Sequence, residues 1–399
     1  MRNRILFSII TIFISLLCVV IFDRALGWLW GDNLHTPMPL IRGLEFEETC
    51  KRIASERPTL GLVSSPNFNQ FPPVDYFTTQ YQDPSSLFLN SPHYFWKLKA
   101  RANIVCQVPY VDPELAQKFR YSVQTNSLGF RGPEFSTTKS DQVYRVVCLG
   151  DSRTFGWGVV YQETFAAQLE KLITARDGRK AEVISAAVPG YTSYQGYLLG
   201  QREVIHWQPD VVICWFGCND SWPCHVSDED IDIKNVTVKG VKRFLRKSNL
   251  YALLTHFKFM FLDCGSEKWK TSMNTRRVPS ADFIRTGLKL VKLFRTIKAP
   301  VIFISLAEGD HYRHALETIS RLGDVPLLKG EELYLQTQIR LRQGQLYQER
   351  YTQLELKLGQ ALLARYPSLD LFVDNSHPND IGHLILAKAL ADLIIAPDL

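Results

Sequence analysis

The fold is decided by Tyr144-Arg145-Val146-Val147-Cys148-Leu149-Gly150-Asp151-Ser152-Arg153-Thr154-Phe155-Gly156-Trp157-Gly158. It opens as a short apolar run rich in β-branched residues, the pattern of a strand buried on both faces of a parallel sheet. Arg145 is the one polar interruption near its start. The run stops at Gly150 and presents an acid and a serine where the chain must turn. A serine just past the C-terminal end of a buried strand stands where open α/β sheets place their ligands. By average usage Gly-Asp-Ser arises by chance in roughly one chain of this length in ten, so the tripeptide alone carries little. Its setting, and three further segments in fixed order downstream, carry more.

Downstream of this stretch strands and helices alternate. Helix periodicity over 163–175 puts Phe165, Leu169, Leu172 and Ile173 on one face. A second strand over 181–188 ends at Pro189-Gly190, and a helix follows over 194–206. A third strand over 210–216 ends at Gly217. A helix over 282–297, a fourth strand over 301–306, a helix over 348–365, a fifth strand over 369–373 and a closing helix over 381–395 complete the pattern. Such alternation implies a parallel five-stranded sheet with helices on both faces. Two stretches interrupt it, 221–280 and 309–345, and read as insertions that either cover a pocket or decorate the surface.

Upstream, residues 5–22 form an uncharged apolar run long enough to cross a hydrocarbon core. Arg2 and Arg4 precede it, which places the N-terminus in the cytoplasm and the rest of the chain outside. Asp23-Arg24-Ala25 is a poor cleavage site, and Leu17 stands before Cys18 where a lipoprotein needs a small residue, so the run reads as an uncleaved anchor. The chain thus divides into an anchor (1–24), a juxtamembrane extension (25–140) and an α/β domain (141–399). In the extension, Trp28 and Trp30 suit a membrane interface, 94–98 and 119–123 read as short strands, and 126–133 is a turn-rich lead-in. The extension shows no chemistry of its own.

Composition narrows the function. The 399 residues are 46% apolar and 22% charged with a formal charge of +6, ordinary values for a globular protein. No basic cluster interleaved with aromatics suggests nucleic acid. His311 and His314 have metal-ligand spacing, but no nearby carboxylate or thiol cluster completes a site, so neither metal nor cofactor is expected. Of the eight cysteines, Cys148 and Cys214 read as thiols packed in strands. Cys50, Cys106, Cys224 and Cys264 lie outside the core strands in an oxidising compartment, which predicts at least one disulfide among them.

A serine hydroxyl becomes a nucleophile when a base takes its proton and a third group fixes that base. Asp374-Asn375-Ser376-His377 offers carboxylate and imidazole three residues apart, just past a predicted strand. A tetrahedral intermediate also needs preorganised donors. Candidates are the backbone N–H groups of Ser152 and Gly190 and the side-chain amide of Asn219 in Gly217-Cys218-Asn219-Asp220.

These four segments, with Ser185-Ala186-Ala187-Val188-Pro189-Gly190 as the glycine block, resemble the four blocks of the SGNH (GDSL-like) hydrolase superfamily over about 141–399. The lead-in 126–133 is similar to that of bacterial membrane-anchored members. The resemblance implies a flavodoxin-like three-layer α/β/α sandwich and acyl-ester chemistry. It also implies Ser152 as nucleophile, His377 as base, Asp374 as its orienter, and Ser152, Gly190 and Asn219 as oxyanion donors. Arg153 departs from the family's name-giving leucine, and Cys218 is unusual at the variable position, where a small filler is the simplest reading. The α/β-hydrolase elbow Gly-x-Ser-x-Gly is absent, because Thr154 takes its last place. Three functions follow: an extracytoplasmic serine esterase or lipase-like hydrolase, a polysaccharide O-acyltransferase using the same triad, or a catalytically idle binding or assembly protein. The intact triad set favours the first.

Overall fold

The computed structural model describes residues 15, 18–25, 87–91, 93–108, 113–224, 226–230, 275–306, 308–374 and 376–396. Most of the apolar run 5–22 lies outside them; residues 18–25 are helical, and among the described residues no helix is long and apolar enough to cross a membrane.

The extension contributes two antiparallel pairs. Strands β1 (Phe88–Ser91) and β2 (Phe95–Leu98) form one, and β3 (Asn103–Gln107) and β4 (Arg120–Gln124), with helix α1 (Pro113–Lys118) between them, form the other. Both strands expected here exist, and each has a partner that its sequence did not announce. The lead-in then turns on Gly129 and Gly132, whose φ values of +87° and +125° suit glycine.

The α/β domain runs β5 (Val143–Gly150), α2 (Ser152–Phe155), α3 (Phe165–Asp177), β6 (Lys180–Ala187), α4 (Ser193–Arg202) and β7 (Val211–Trp215). After a short antiparallel pair, β8 (Pro223–Cys224) with β9 (Thr275–Arg276), come α5 (Ser280–Arg295), β10 (Val301–Ser305), α6 (Asp310–Gly323), β11 (Leu327–Lys329) and α7 (Gly330–Arg342). Helices α8 (Gln348–Leu358), α9 (Gln360–Arg365) and α10 (Asp380–Ile395) close the chain. The sheet order is β6-β5-β7-β10-β11, all parallel. Counting the sheet's strands along the chain, this is the flavodoxin order 2-1-3-4-5.

Side chains alternate across each strand and so feed two cores. Val146, Cys148, Ile213, Trp215, Ile302 and Ile304 pack with α3, α7, α8 and α10 on one face. Val147, Leu149, Val212, Cys214, Val301 and Phe303 pack with α4, α5 and α6 on the other, giving three layers. Phe95, Trp96, Leu98, Tyr121 and Val123 of the extension join that second core, so the extension is continuous with the domain. Arg145 is buried but satisfied, donating to the Glu182 carboxylate at 2.6 Å and to the Ser136 carbonyl at 2.8 Å.

The expected count of five sheet strands holds, but one identity changes. Residues 369–373 are not a sheet strand: a 3₁₀ turn over Pro367–Asp370 leads to a lone bridge between Phe372 and Pro378. Leu369, Leu371, Phe372 and Val373 are fully buried, and an apolar run buried by packing looks the same in sequence as one buried by pairing. The fifth strand is β11, at the sheet edge, inside the stretch read as the 309–345 insertion. Three residues after Pro326 are too few to show a period. The expected helix over 348–365 breaks at Gly359, φ +86°, and the helix begun at 194 stops at Arg202, with a 3₁₀ turn over Val204–Trp207. Most of the 221–280 insertion lies outside the described residues. Among the described residues neither Cys106 nor Cys224 is in a disulfide; Cys224 Sγ instead faces the Val226 carbonyl at 3.2 Å. Cys50 and Cys264 lie outside the described residues.

Candidate active site

The sheet's C-terminal edge collects the expected residues. Ser152 follows β5 directly, Gly190 follows β6 and Asn219 follows β7. β5 lies between β6 and β7, beside the point where the strand order reverses and a crevice opens.

Local chemistry builds the Ser152 turn. Gly150 leaves no room for a side chain: a Cβ there would lie 2.0 Å from Thr154 Oγ1. Asp151 caps α2 by accepting the Arg153 N–H at 2.9 Å. Gly156, φ +82°, ends the helix in the left-handed region. Buried Arg131 of the lead-in then donates to the carbonyls of Phe155 (2.8 Å), Gly156 (2.7 Å) and Val159 (2.6 Å). The same guanidinium reaches the Ser122 carbonyl of β4 at 3.1 Å, tying the extension to this turn.

The His377 loop is a tight reversal. Val373 donates its N–H to the His377 carbonyl at 2.8 Å, and Asn379 to that of Leu371 at 2.9 Å. Asp374 Oδ1 accepts the N–H groups of Ser376 (3.0 Å) and His377 (2.9 Å). His377 Nδ1 sits 2.8 Å from both Asp374 oxygens, and its Nε2 sits 2.7 Å from Ser152 Oγ. Asp374 is fully buried. Burial alone would raise its carboxyl, but the charge and hydrogen bond of His377 and the two backbone donors outweigh it and hold the group below the usual range. An ionised carboxylate only accepts, so Nδ1 carries the proton and Nε2 accepts from the serine hydroxyl. Trp157 packs beside the imidazole, ring centroids 5.9 Å apart.

The three oxyanion candidates share this edge. Neither the Ser152 nor the Gly190 N–H donates to any group among the described residues. Asn219 Nδ2 donates to the Tyr191 carbonyl at 3.0 Å and lies 3.4 Å from Asp151 Oδ2, which ties the third block to the other two. Asp220 explains the acid that ends that block. It accepts the N–H and hydroxyl of Ser193, at 2.9 and 2.6 Å, and the Gly217 N–H at 3.0 Å. Burial nevertheless pushes its carboxyl up to about 6.

Arg153 is buried behind the serine. Its Nη2 lies 2.9 Å from Asp151 Oδ2, its Nη1 lies 2.7 Å from the Leu306 carbonyl and 3.6 Å from Glu308, and its guanidinium stacks on Trp215. Glu308 also accepts from Ser305 Oγ and, at 2.8 Å, from the Leu306 N–H, and burial pushes its carboxyl up to about 7. Cys218 is a buried thiol beside these charges, raised to about 12 chiefly by burial. His311 and His314 lie exposed in the first turn and a half of α6.

Reasoning from sequence did not single out Trp157, Arg131 or Arg277. Trp157 stood inside the deciding stretch, and a large aromatic five residues past Ser152 was the available signal. The two arginines had none, because each donates to a carbonyl distant in sequence, Arg131 to that of Phe155 and Arg277 to that of Gly190.

A family model described as the GDSL-like Lipase/Acylhydrolase family matches residues 148–385. Solved structures give weaker likeness. An acetylxylan esterase from Geobacillus stearothermophilus is 15% identical, with 65% of this chain and 97% of that one covered and a TM-score of 0.36. A lipase/acylhydrolase from Enterococcus faecalis is 17% identical, with 63% and 94% covered and a TM-score of 0.35. An α/β hydrolase from the metagenome of Lake Arreo, Spain, is 16% identical, with 62% and 94% covered and a TM-score of 0.36. No curated protein matches the chain.

Proposed function

The chain belongs to the GDSL-like lipase/acylhydrolase family of ester-hydrolysing serine hydrolases, and from that premise we propose that it is an extracytoplasmic serine esterase worked by Ser152, His377 and Asp374. The observation that carries the reading is the unbroken relay of contacts from Ser152 Oγ to His377 Nε2 at 2.7 Å and from Nδ1 to Asp374 at 2.8 Å.

In this reading Ser152 Oγ attacks the ester carbonyl while His377 Nε2 takes the hydroxyl proton. Asp374 holds the ring and stabilises the imidazolium that forms. The N–H groups of Ser152 and Gly190 and the Asn219 amide receive the oxyanion. Collapse of the tetrahedral intermediate breaks the bond to the alcohol oxygen, which leaves with the proton from His377. Water, deprotonated by the same Nε2, then attacks the acyl carbon; the bond to Ser152 Oγ breaks, Oγ takes the proton back from His377, and the carboxylic acid leaves.

Residues 5–22, with Arg2 and Arg4 before them, support a membrane anchor that leaves the α/β domain on the outer side. An N-terminal reporter is then cytoplasmic and a C-terminal one external; the reverse result refutes the placement. The activity is tested by offering p-nitrophenyl esters of increasing acyl length to the purified full chain in detergent. Hydrolysis that disappears in Ser152→Ala supports the esterase. Turnover that requires added sugar acceptors replaces it with the acyltransferase, and a folded chain inert to every ester leaves only a binding role.

A further inference from the structure

The Pro189–Gly190 peptide is held from outside the α/β domain. Trp96 of β2 donates its indole N–H to the Pro189 carbonyl at 3.1 Å. That carbonyl and the Gly190 N–H belong to one trans peptide plane and point in opposite directions. Fixing the carbonyl therefore fixes where the N–H points. The next plane is pinned as well: Arg277 Nη1 donates to the Gly190 carbonyl at 2.8 Å, and the Tyr191 N–H donates to the Val188 carbonyl at 3.1 Å.

Trp96 is itself immobilised. It is buried, the Tyr191 hydroxyl donates to its carbonyl at 2.7 Å, and the Arg277 guanidinium lies 5.5 Å from its ring centroid. Its ring lies against Gly190, where a Cβ would come within 3.1 Å of Cζ2. Arg277 is anchored in turn on Asp228 and Gln195, at 2.9 Å each. The segment so held runs between the other parts of the site. The Val188 N–H donates to the Gly150 carbonyl at 3.2 Å, and the Tyr191 carbonyl takes the Asn219 amide at 3.0 Å. Between these fixed points the Gly190 N–H has no partner among the described residues.

We propose that Trp96 is a positioning residue of the oxyanion hole, its indole N–H orienting the Pro189–Gly190 peptide so that the Gly190 N–H meets the developing oxyanion. The proposal rests on the esterase reading, and it gives the extension a part in the chemistry. A rotated peptide binds the flat ground-state ester as before and serves the tetrahedral state worse, so the effect falls on kcat rather than KM.

The test compares full-length wild type with Trp96→Phe and with a chain carrying 3-benzothienylalanine at position 96, which keeps the bicyclic shape and lacks the N–H. Each variant lowers kcat on a short ester by about ten- to a hundredfold, less than outright deletion of a donor. KM stays within about twofold, and affinity for a short alkylboronic acid, whose serine adduct is tetrahedral, falls in parallel with kcat. A benzothienyl chain with wild-type kcat and boronate affinity overturns the proposal, even if Trp96→Phe fails to fold. Equal losses in KM and melting temperature without loss of boronate affinity assign Trp96 to packing and overturn it too. A wild-type chain that hydrolyses no ester overturns the esterase reading and this proposal with it, a different result from active wild type with indifferent variants.

Discussion

Replacing Arg153 by leucine, the residue of the name-giving family motif, is expected to destabilise this chain. The guanidinium is buried between Asp151 at 2.9 Å, Glu308 at 3.6 Å and the Leu306 carbonyl at 2.7 Å. Breaking a buried ion pair from one side costs about 3–5 kcal/mol, because the abandoned charge stays buried. Two carboxylates lose a partner here, but not equally. Glu308 is already pushed up to about 7 by burial and escapes its charge by taking a proton. Asp151 keeps its bond from the Arg153 backbone N–H at 2.9 Å. Both considerations favour the lower end, about 3 kcal/mol. At about 2–4 °C per kcal/mol for a domain of this size, the melting temperature falls by roughly 6–12 °C. Differential scanning calorimetry on the full chain in detergent measures it. Adding Asp151→Asn to Arg153→Leu removes the orphaned charge and recovers part of the loss. A fall of less than about 2 °C would show that leucine packs there as well as the ion pair does, and would refute the reasoning.

Four further outcomes follow. Ser152→Ala and His377→Ala each remove nearly all esterase activity, and the double variant loses little more, because the members act as a unit; additive losses in kcat would separate them. Asp374→Asn keeps the melting temperature near wild type but lowers kcat by about ten-thousandfold through the wrong imidazole tautomer, and a loss below tenfold would deny Asp374 its role. Asn219→Ala lowers kcat by about a hundred- to a thousandfold, and an unchanged rate would make Asn219 a turn residue bonded to Tyr191 and nothing more. Stability carries a pH signature from Glu308. Its folded carboxyl titrates near 7 against an ordinary 4.5, so the folded state holds a proton that the unfolded chain has released. The contribution is fully present below about 4.5 and is lost as the pH rises through about 7. Glu308→Gln flattens the melting temperature across that window, and an unaltered profile would count against it.

How much of this was legible follows from the range of each interaction. Strands β5, β6, β7 and β10 are buried on both faces and announce themselves as apolar runs, and each ends at a residue that the site uses or the turn requires. That Ser152, His377 and Asp374 meet within hydrogen-bond reach was legible because one strand end and one tight loop carry all three. Strand β11 was not, since three residues at an edge show no period, while 369–373 looked like a strand through burial without pairing. Arg153 shows the same limit from the other side. Its charge reads as a departure from the motif until Glu308, 155 positions away, is seen beside it. Trp96, Arg131 and Arg277 each act on a backbone carbonyl far along the chain, and a carbonyl has no letter in the sequence.

The central claim is that Ser152 forms the covalent acyl-enzyme, and a fluorophosphonate tests it most directly. Treatment of the full chain followed by peptide mass mapping is expected to find one phosphonyl adduct, on Ser152, absent from Ser152→Ala and slowed by several orders of magnitude in His377→Ala. An intact, folded chain that takes up no adduct, or takes it up at another serine with Ser152 unmodified, would contradict the account.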